Sequence, residues 1–501
     1  MRPSFRAFVA SILLTLVAAA CAPTAPRPAT TTPHLLSSIG TSSPSADREQ
    51  TADEQVQHVL SRLTFGARPG DVARVRAMGV DAFIAQQLRP DRIPDQRLEE
   101  WLEPFETLDL TYADLQEAYP RPNEALQALG AANRNSLSQS DSAARRVVEG
   151  FRRAGAEVQT ARIGRALLTD QQLNEVMTDF WLNHFSVFGG KNALMRYAIP
   201  EYENRTIRPR ALGKFRDLLG AVAKSPAMLY YLDNWQSAAD SGRPRLETPR
   251  LAQARNRGLN ENFGRELLEL HTLGVDGGYT QADVVAVARA FTGWTMQPRE
   301  GSGFRFVPAL HDRSAKTVLG HTLPAGRGIE DGEAVLDLLS THPATARRVA
   351  RMLATRFVSD TPPEALVERT AARFLATGGD LREVVRVIVT SPEFFAPEAA
   401  GAKLKTPLEF VASALRATAA DVRSARPLTR TLRELGMPLY LCQPPTGYDD
   451  TAATWAAAGA LVGRVNFAAD LGAGRVPGLR LPPAVTADVA ASIAAPAFQY
   501  R

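Results

Sequence analysis

Cysteine is nearly absent: the 501 residues hold only Cys21 and Cys442. No zinc-spaced cysteine set is possible with so few. Lysine is scarce too, so nearly all of the 58 basic residues are arginines, interspersed with 53 acidic ones. A net charge of +5 with no dense basic stripe and no accompanying motif argues against a nucleic-acid partner, and none is expected. The excess of arginine together with alanine has a simpler source in a GC-rich genome. Several signatures are missing: the Walker A loop, the GxSxG elbow, HExxH and the dinucleotide fingerprint. No fixed-period repeat is visible, which excludes a simple solenoid. No apolar run is long enough for a comfortable membrane span.

What is present begins with an export signal. In "MRPSFRAFVASILLTLVAAAC", Arg2 and Arg6 precede an apolar run from Phe8 to Val17, then Ala18, Ala19 and Ala20 lead to Cys21. The ending resembles a lipobox with Ala18 where Leu is usual, so Cys21 is the candidate lipidation site. Ordinary cleavage after the A-x-A site, with secretion, is the alternative. Full acylation adds several buried chains, enough for a stable anchor. Ala22 rather than Asp follows Cys21, which points to the outer membrane if the host has two membranes. Residues 22–50 are rich in Pro, Ser and Thr and read as a disordered tether. With Cys21 lipidated no disulfide remains, so the body, residues 51–470, is held by packing alone.

That body reads as mainly α, a large multi-helix assembly. "EQVQHVLSRLTFG" is amphipathic and stops at Gly66, and "RPGDVARVRAMGVDAFIAQQL" reads as two helices broken near Gly79. Thr280 with Asp283, and Thr406 with Pro407 and Glu409, form capping-box patterns; "SPEF" repeats a Ser–Pro helix entry at Ser391. The one β signal is "FRFV" (304–307) and "KTVLG" (316–320), a small hairpin whose connecting loop holds His311 and Asp312. Residues 121–146 are polar and irregular. Residues 471–501 are Pro-, Ala- and Gly-rich and are expected to wrap loosely.

Candidate chemistry concentrates in "NENFGRELLELHTLGV" (260–275). At about 100° per residue, Asn262, Arg265, Glu266 and Glu269 share one side of a helix. Asn260, Gly264, Leu267 and His271 share the other. Glu266, Glu269 and His271 are the candidate catalytic residues, although His271 joins the two acids only if the helix ends or distorts. Asn260, Asn262 and Arg265 are candidate binding residues. A solvated face with an Arg265–Glu269 pair, a buried inter-helix network and a functional cleft all remain open. In "MTDFWLNHFSVFGGK", His184 falls on the apolar side with Met177, Phe180 and Trp181, while Asp179 and Asn183 form an i, i+4 pair on another. In "HDRSAK", His311 and Asp312 are loop candidates for binding, metal ligation or base chemistry. No metal or cofactor is assigned.

The segments taken together resemble the bacterial DUF1800 family (domain of unknown function 1800). The matching blocks run from "HVLSRLTFGARPGD" to "CQPPTGYDDTAATW", about residues 58–455, through "FWLNHF", "NENFGRELLELHTLGVDGGYTQADVVAVARAFTGW", "HDRSAKTVLG", "HPATARRVARMLATRFVSD" and "KLKTPLEFV". The family usually has His where Leu182 stands, and Trp near Tyr448. The resemblance implies a large helical envelope or secreted protein and supplies no reaction. The expectation is an exported, lipid-anchored protein, with the membrane as partner through Cys21, that binds or processes an envelope or extracellular polymer. Carboxylate- or metal-assisted hydrolysis is the chemistry its side chains suit. The alternative is a non-catalytic assembly or chaperone-like lipoprotein whose polar helix residues form buried networks.

Overall fold

A computed structural model describes residues 48–122, 142–239, 258–296, 303–483 and 487–501, all within the unit Ser42–Arg501. The segments expected to be an export signal and, up to residue 47, a tether, with Cys21, and most of the polar segment 121–146 lie outside the described residues. Helix follows helix. Those that position the site are α1 (Ala52–Leu63), α2 (Ser142–Leu168), α3 (Gln172–His184), α4 (Glu261–Glu266), α5 (Gln281–Ala290), α6 (Pro343–Phe357), α7 (Pro407–Ala417) and α8 (Ala458–Gly472). Two shorter helices, Asp71–Met78 and Val80–Gln87, flank Gly79 as the sequence predicts.

Local chemistry sets the helix starts. Thr51, Thr280 and Thr406 each close a reciprocal capping box with the acid three residues on. His342 caps α6, its ring accepting from the Ala344 N–H at 3.1 Å, and Pro343 occupies the first turn. Ser391 behaves differently: it caps a turn, its hydroxyl accepting from Phe394 N at 3.1 Å, and no α-helix follows. Along α6, Val349, Ala350, Leu353, Ala354 and Phe357 recur at helical spacing and are fully buried. Each large one contributes about 1.5–3 kcal/mol. They join one continuous core running from Val56 to Ile493. Trp181 sits inside it, its indole N–H donating to Ala211 O at 3.0 Å. Among the described residues no helix is long and apolar enough to cross a membrane.

The β content is small but its pairing departs from expectation. Both segments named from the sequence are strands, yet they do not pair with each other. β1 (Trp294–Met296) pairs with β2 (Phe304–Phe306), and β3 (Lys316–Val318) pairs with β4 (His321–Leu323), both antiparallel. β5 (Asp421–Val422) pairs with β6 (Leu479–Arg480). Gly320 follows Leu319, and both have positive φ, which suits a tight two-residue turn within β3–β4. The stretch after Gly472 is not loose at its end. Ala487–Ala494 and Pro496–Gln499 are helical, and Arg501 is buried, exchanging backbone hydrogen bonds with Lys403 at 2.8 and 3.2 Å.

Candidate functional site

α4 does not continue as an α-helix. Residues Leu267–Thr272 form a π-helical turn, with Leu273 N donating to Leu268 O at 2.8 Å. The distortion that His271 would need therefore exists, but it does not bring His271 to the acids. His271 is 3% exposed and packs against Phe185, with ring centroids 5.3 Å apart. Glu266 and Glu269 stay half-exposed on the other side, as the 100° spacing predicts. Burial and the charge of Glu269 raise the Glu266 carboxyl, against Arg265. Glu269 accepts from Tyr279 Oη at 3.1 Å. Arg265 donates to Gln281 at 2.7 Å and lies 3.9 Å from Glu261. Asn260 is the N-cap, accepting from Asn262 N at 3.0 Å and donating to Leu232 O at 2.7 Å; Asn262 itself is exposed.

The loop at 311–316 is a structural knot anchored by buried His311 and Lys316. His311 donates from Nδ1 to Thr292 O at 2.8 Å, and its Nε2 lies 3.4 Å from Asp331. Asp331 also takes Lys316 at 2.7 Å and Arg327 at 2.9 Å. Burial would raise the Asp312 carboxyl, but hydrogen bonds from Arg289 and Ser314 outweigh it and hold it at about 2. These side chains pin the helix at Glu330–Ser340 to β3 and α5. Among the described residues, no three His, Cys, Asp or Glu side chains gather as a metal-ligand set.

A cavity of about 500 Å³ opens elsewhere, where six segments meet. α3 contributes Asp179, Phe180, Asn183 and His184; the π turn contributes Leu270; α6 contributes Arg348, Arg351, Met352 and Arg356. Thr406 just before α7, Met437 and the loop Thr446–Thr451 complete it. Much of its surface is apolar, through Phe180, Leu270, Met352 and Met437. Of the residues singled out from the sequence for chemistry, His184 lines it. Glu266, Glu269, His271, His311 and Asp312 do not.

The end of the π turn explains how two of these side chains are held. The last carbonyls of any helix lack intrahelical partners. Here Arg348 Nη2 donates to Leu270 O at 3.1 Å and His184 Nε2 donates to His271 O at 3.2 Å. The second bond places the His184 proton on Nε2 and leaves Nδ1 as an acceptor. Burial, then His271 and Arg348, push the His184 pKa well below its usual value, so the ring is neutral near pH 7. The facing loop is fastened by Asn183, whose amide donates to Tyr448 O at 2.7 Å and accepts from Tyr448 N at 2.7 Å. Gly447, at φ 73°, makes this approach possible: a Cβ there would lie 2.2 Å from Asn183 O.

The base of the cleft is ionic and sealed. Arg356 reaches Glu409 at 2.8 Å, Asp450 at 3.3 Å and Asp179 at 3.6 Å; Arg162 meets Asp179 at 2.5 Å and Arg501 meets Glu409 at 3.1 Å. Burial opposes the Glu409 charge, but Arg356 and Arg501 hold its carboxyl at about 2. A second buried set centres on Glu203, bound by Arg165 at 2.9 Å, by Arg208 at 2.6 Å and by Tyr440 Oη. Leu182 faces away from the main cavity, into a neighbouring small pocket with Arg162, Tyr440 and Cys442. The position where the family usually has His is thus outside the larger cleft.

Fold and cleft together define a large helical protein with a ligand-sized cavity between helices and one loop. The chain belongs to the family described as protein of unknown function (DUF1800), whose model matches residues 58–500. That span extends the resemblance read from the sequence through the docked C-terminal segment. No curated protein and no solved structure matches the chain. Sequence reasoning missed Arg348, Met352 and the 446–451 loop as site residues. The available signal was that their blocks, "HPATARRVARMLATRFVSD" and "CQPPTGYDD", were among those carrying the family resemblance.

Proposed function

We propose that this is an exported, lipid-anchored helical protein of the cell envelope that binds an end or short stretch of an envelope or extracellular polymer in the cleft beside His184. The observation that supports it is the cleft itself: about 500 Å³, apolar-walled, with a neutral histidine and an arginine lip. Such a volume and mix suit an organic ligand with a few fixed polar groups. Of the cleft carboxylates, Asp179 and Asp450 are tied to arginines and Asp449 accepts from Thr451 N at 3.2 Å, while Glu266 and Glu269 lie outside the cleft. This favours binding over carboxylate-assisted hydrolysis. The buried sets around Arg356 and Glu203 favour a second reading, a non-catalytic assembly lipoprotein in which such networks only hold helices together.

Co-sedimentation or affinity capture of the purified full chain with peptidoglycan, teichoic acid, lipopolysaccharide and exopolysaccharide separates the two. Binding to one of these, lost in Met352→Arg, which fills the cleft, is the expected result. Equal binding by the variant, or none by either protein, would leave the assembly reading.

A further inference from the structure

The cleft has an unequal charge arrangement. Arg351 is tied to Glu364 at 2.6 Å, and Arg356 to Glu409 and Asp450. Arg348 is different. Among the described residues no carboxylate lies at ion-pair distance from it. Its hydrogen bond is to the Leu270 carbonyl, and its Nε is buried without a partner. Helix-end dipoles hold this guanidinium in place but do not supply a full opposite charge. Burial depresses its pKa and Glu269 opposes this only from a distance, as expected for an incompletely compensated cation.

Resting on the reading of the cleft as a binding site, we infer that Arg348 is the anchor for a single anionic group, a carboxylate or phosphate, on a ligand whose apolar part lies against Phe180, Leu270 and Met352. With Nε buried and Nη2 donating to the Leu270 carbonyl, the remaining N–H groups of Nη1 and Nη2 are left to pair with an oxyanion, and the apolar wall strengthens that pairing by excluding water. His184 Nδ1 adds an acceptor for a hydroxyl or amide of the same ligand. Asp450 is compensated by Arg356, but Asp449 on the facing loop has no cation at ion-pair distance among the described residues and repels further negative charge, so the site selects an amphiphile with one anionic group over a dense polyanion.

The test uses the full chain with octanoate, octyl phosphate and octanol as probes, measured by titration calorimetry for wild type, Arg348→Gln, Arg348→Lys and Met352→Arg. Circular dichroism confirms that each variant is folded. The wild type is expected to bind the two anions at least about tenfold more tightly than octanol. Arg348→Gln erases that preference, and Arg348→Lys, which keeps the charge, retains part of it. A preference for octanoate over octyl phosphate, or the reverse, names the source of the anion and supports the anchor either way. If the anion preference survives in Arg348→Gln, or if all three probes bind alike and only Met352→Arg abolishes binding, the anchor is wrong while the cleft reading stands. If no probe binds any protein, or Met352→Arg binds like wild type, the cleft reading falls and the anchor with it.

Discussion

Asn183 holds the 446–451 loop with both ends of one amide, beside the Arg356–Asp450 ion pair. Replacing it with Ala leaves the Tyr448 N–H and C=O without these partners, at a cost of about 1–3 kcal/mol. Asn183→Ala is therefore expected to lower the melting temperature and to speed proteolytic cutting near Tyr448; unchanged proteolysis would show that the loop is held by other contacts. His271 makes a pH prediction. Burial, then the charge of Arg348, lowers its pKa from 6.5 to about 3 in the folded chain. Between those values the unfolded chain binds the extra proton, so stability is full above about pH 6.5 and declines as pH falls toward 3. The slope approaches about 1.4 kcal/mol per pH unit for this residue. Melting curves from pH 7 to 4 should fall less steeply for His271→Gln than for wild type, and parallel curves would refute the assignment.

At the scale of elements, the crossing of α4 on α5 depends on a missing side chain. A Cβ at Gly264 would lie 2.9 Å from Val284 O and 3.0 Å from Ala288 N, both backbone atoms that cannot rotate away. Gly264→Ala, normally favourable in a helix, is here expected to cost about 1–3 kcal/mol through overpacking. Denaturant unfolding decides it, and a stabilised variant would mean that the helices separate easily. From this crossing α4 runs directly into the π turn that presents the Leu270 and His271 carbonyls to Arg348 and His184. The helix signals, the caps and the shared side of Gly264, Leu267 and His271 were legible because they depend on neighbours within a few residues. The β1–β2 and β3–β4 pairing was not, because each short strand reads alike whichever partner it takes.

For the whole molecule, the segment ending at Arg501 closes the ionic base of the cleft. Arg501→Ala leaves Glu409 with less compensation in a buried site, at a cost of about 3–5 kcal/mol. Calorimetry should show a melting point lowered by several degrees, with ligand binding weakened in parallel; an unaltered melting point would make the ion pair incidental. Export and anchoring belong to this scale too. Metabolic labelling with palmitate is expected to mark the wild-type protein and not Cys21→Ala, which should move from the membrane to the soluble fraction. Labelling of neither protein would favour simple secretion.

Periodicity, capping and composition by themselves determined that the body is a chain of helices, because those properties are local. They also divided residues 260–271 between two sides of a helix, with Glu266 and Glu269 on one and His271 on the other. Tertiary structure decided which polar groups share a space. It turned His184 into a cleft residue, left Glu266 and Glu269 outside, and locked His311 and Asp312 into a structural knot. It also brought Arg348 and the Tyr448 loop, more than 80 residues apart in sequence, to the same wall. Such meetings depend on how whole helices pack, which no window of neighbouring residues encodes.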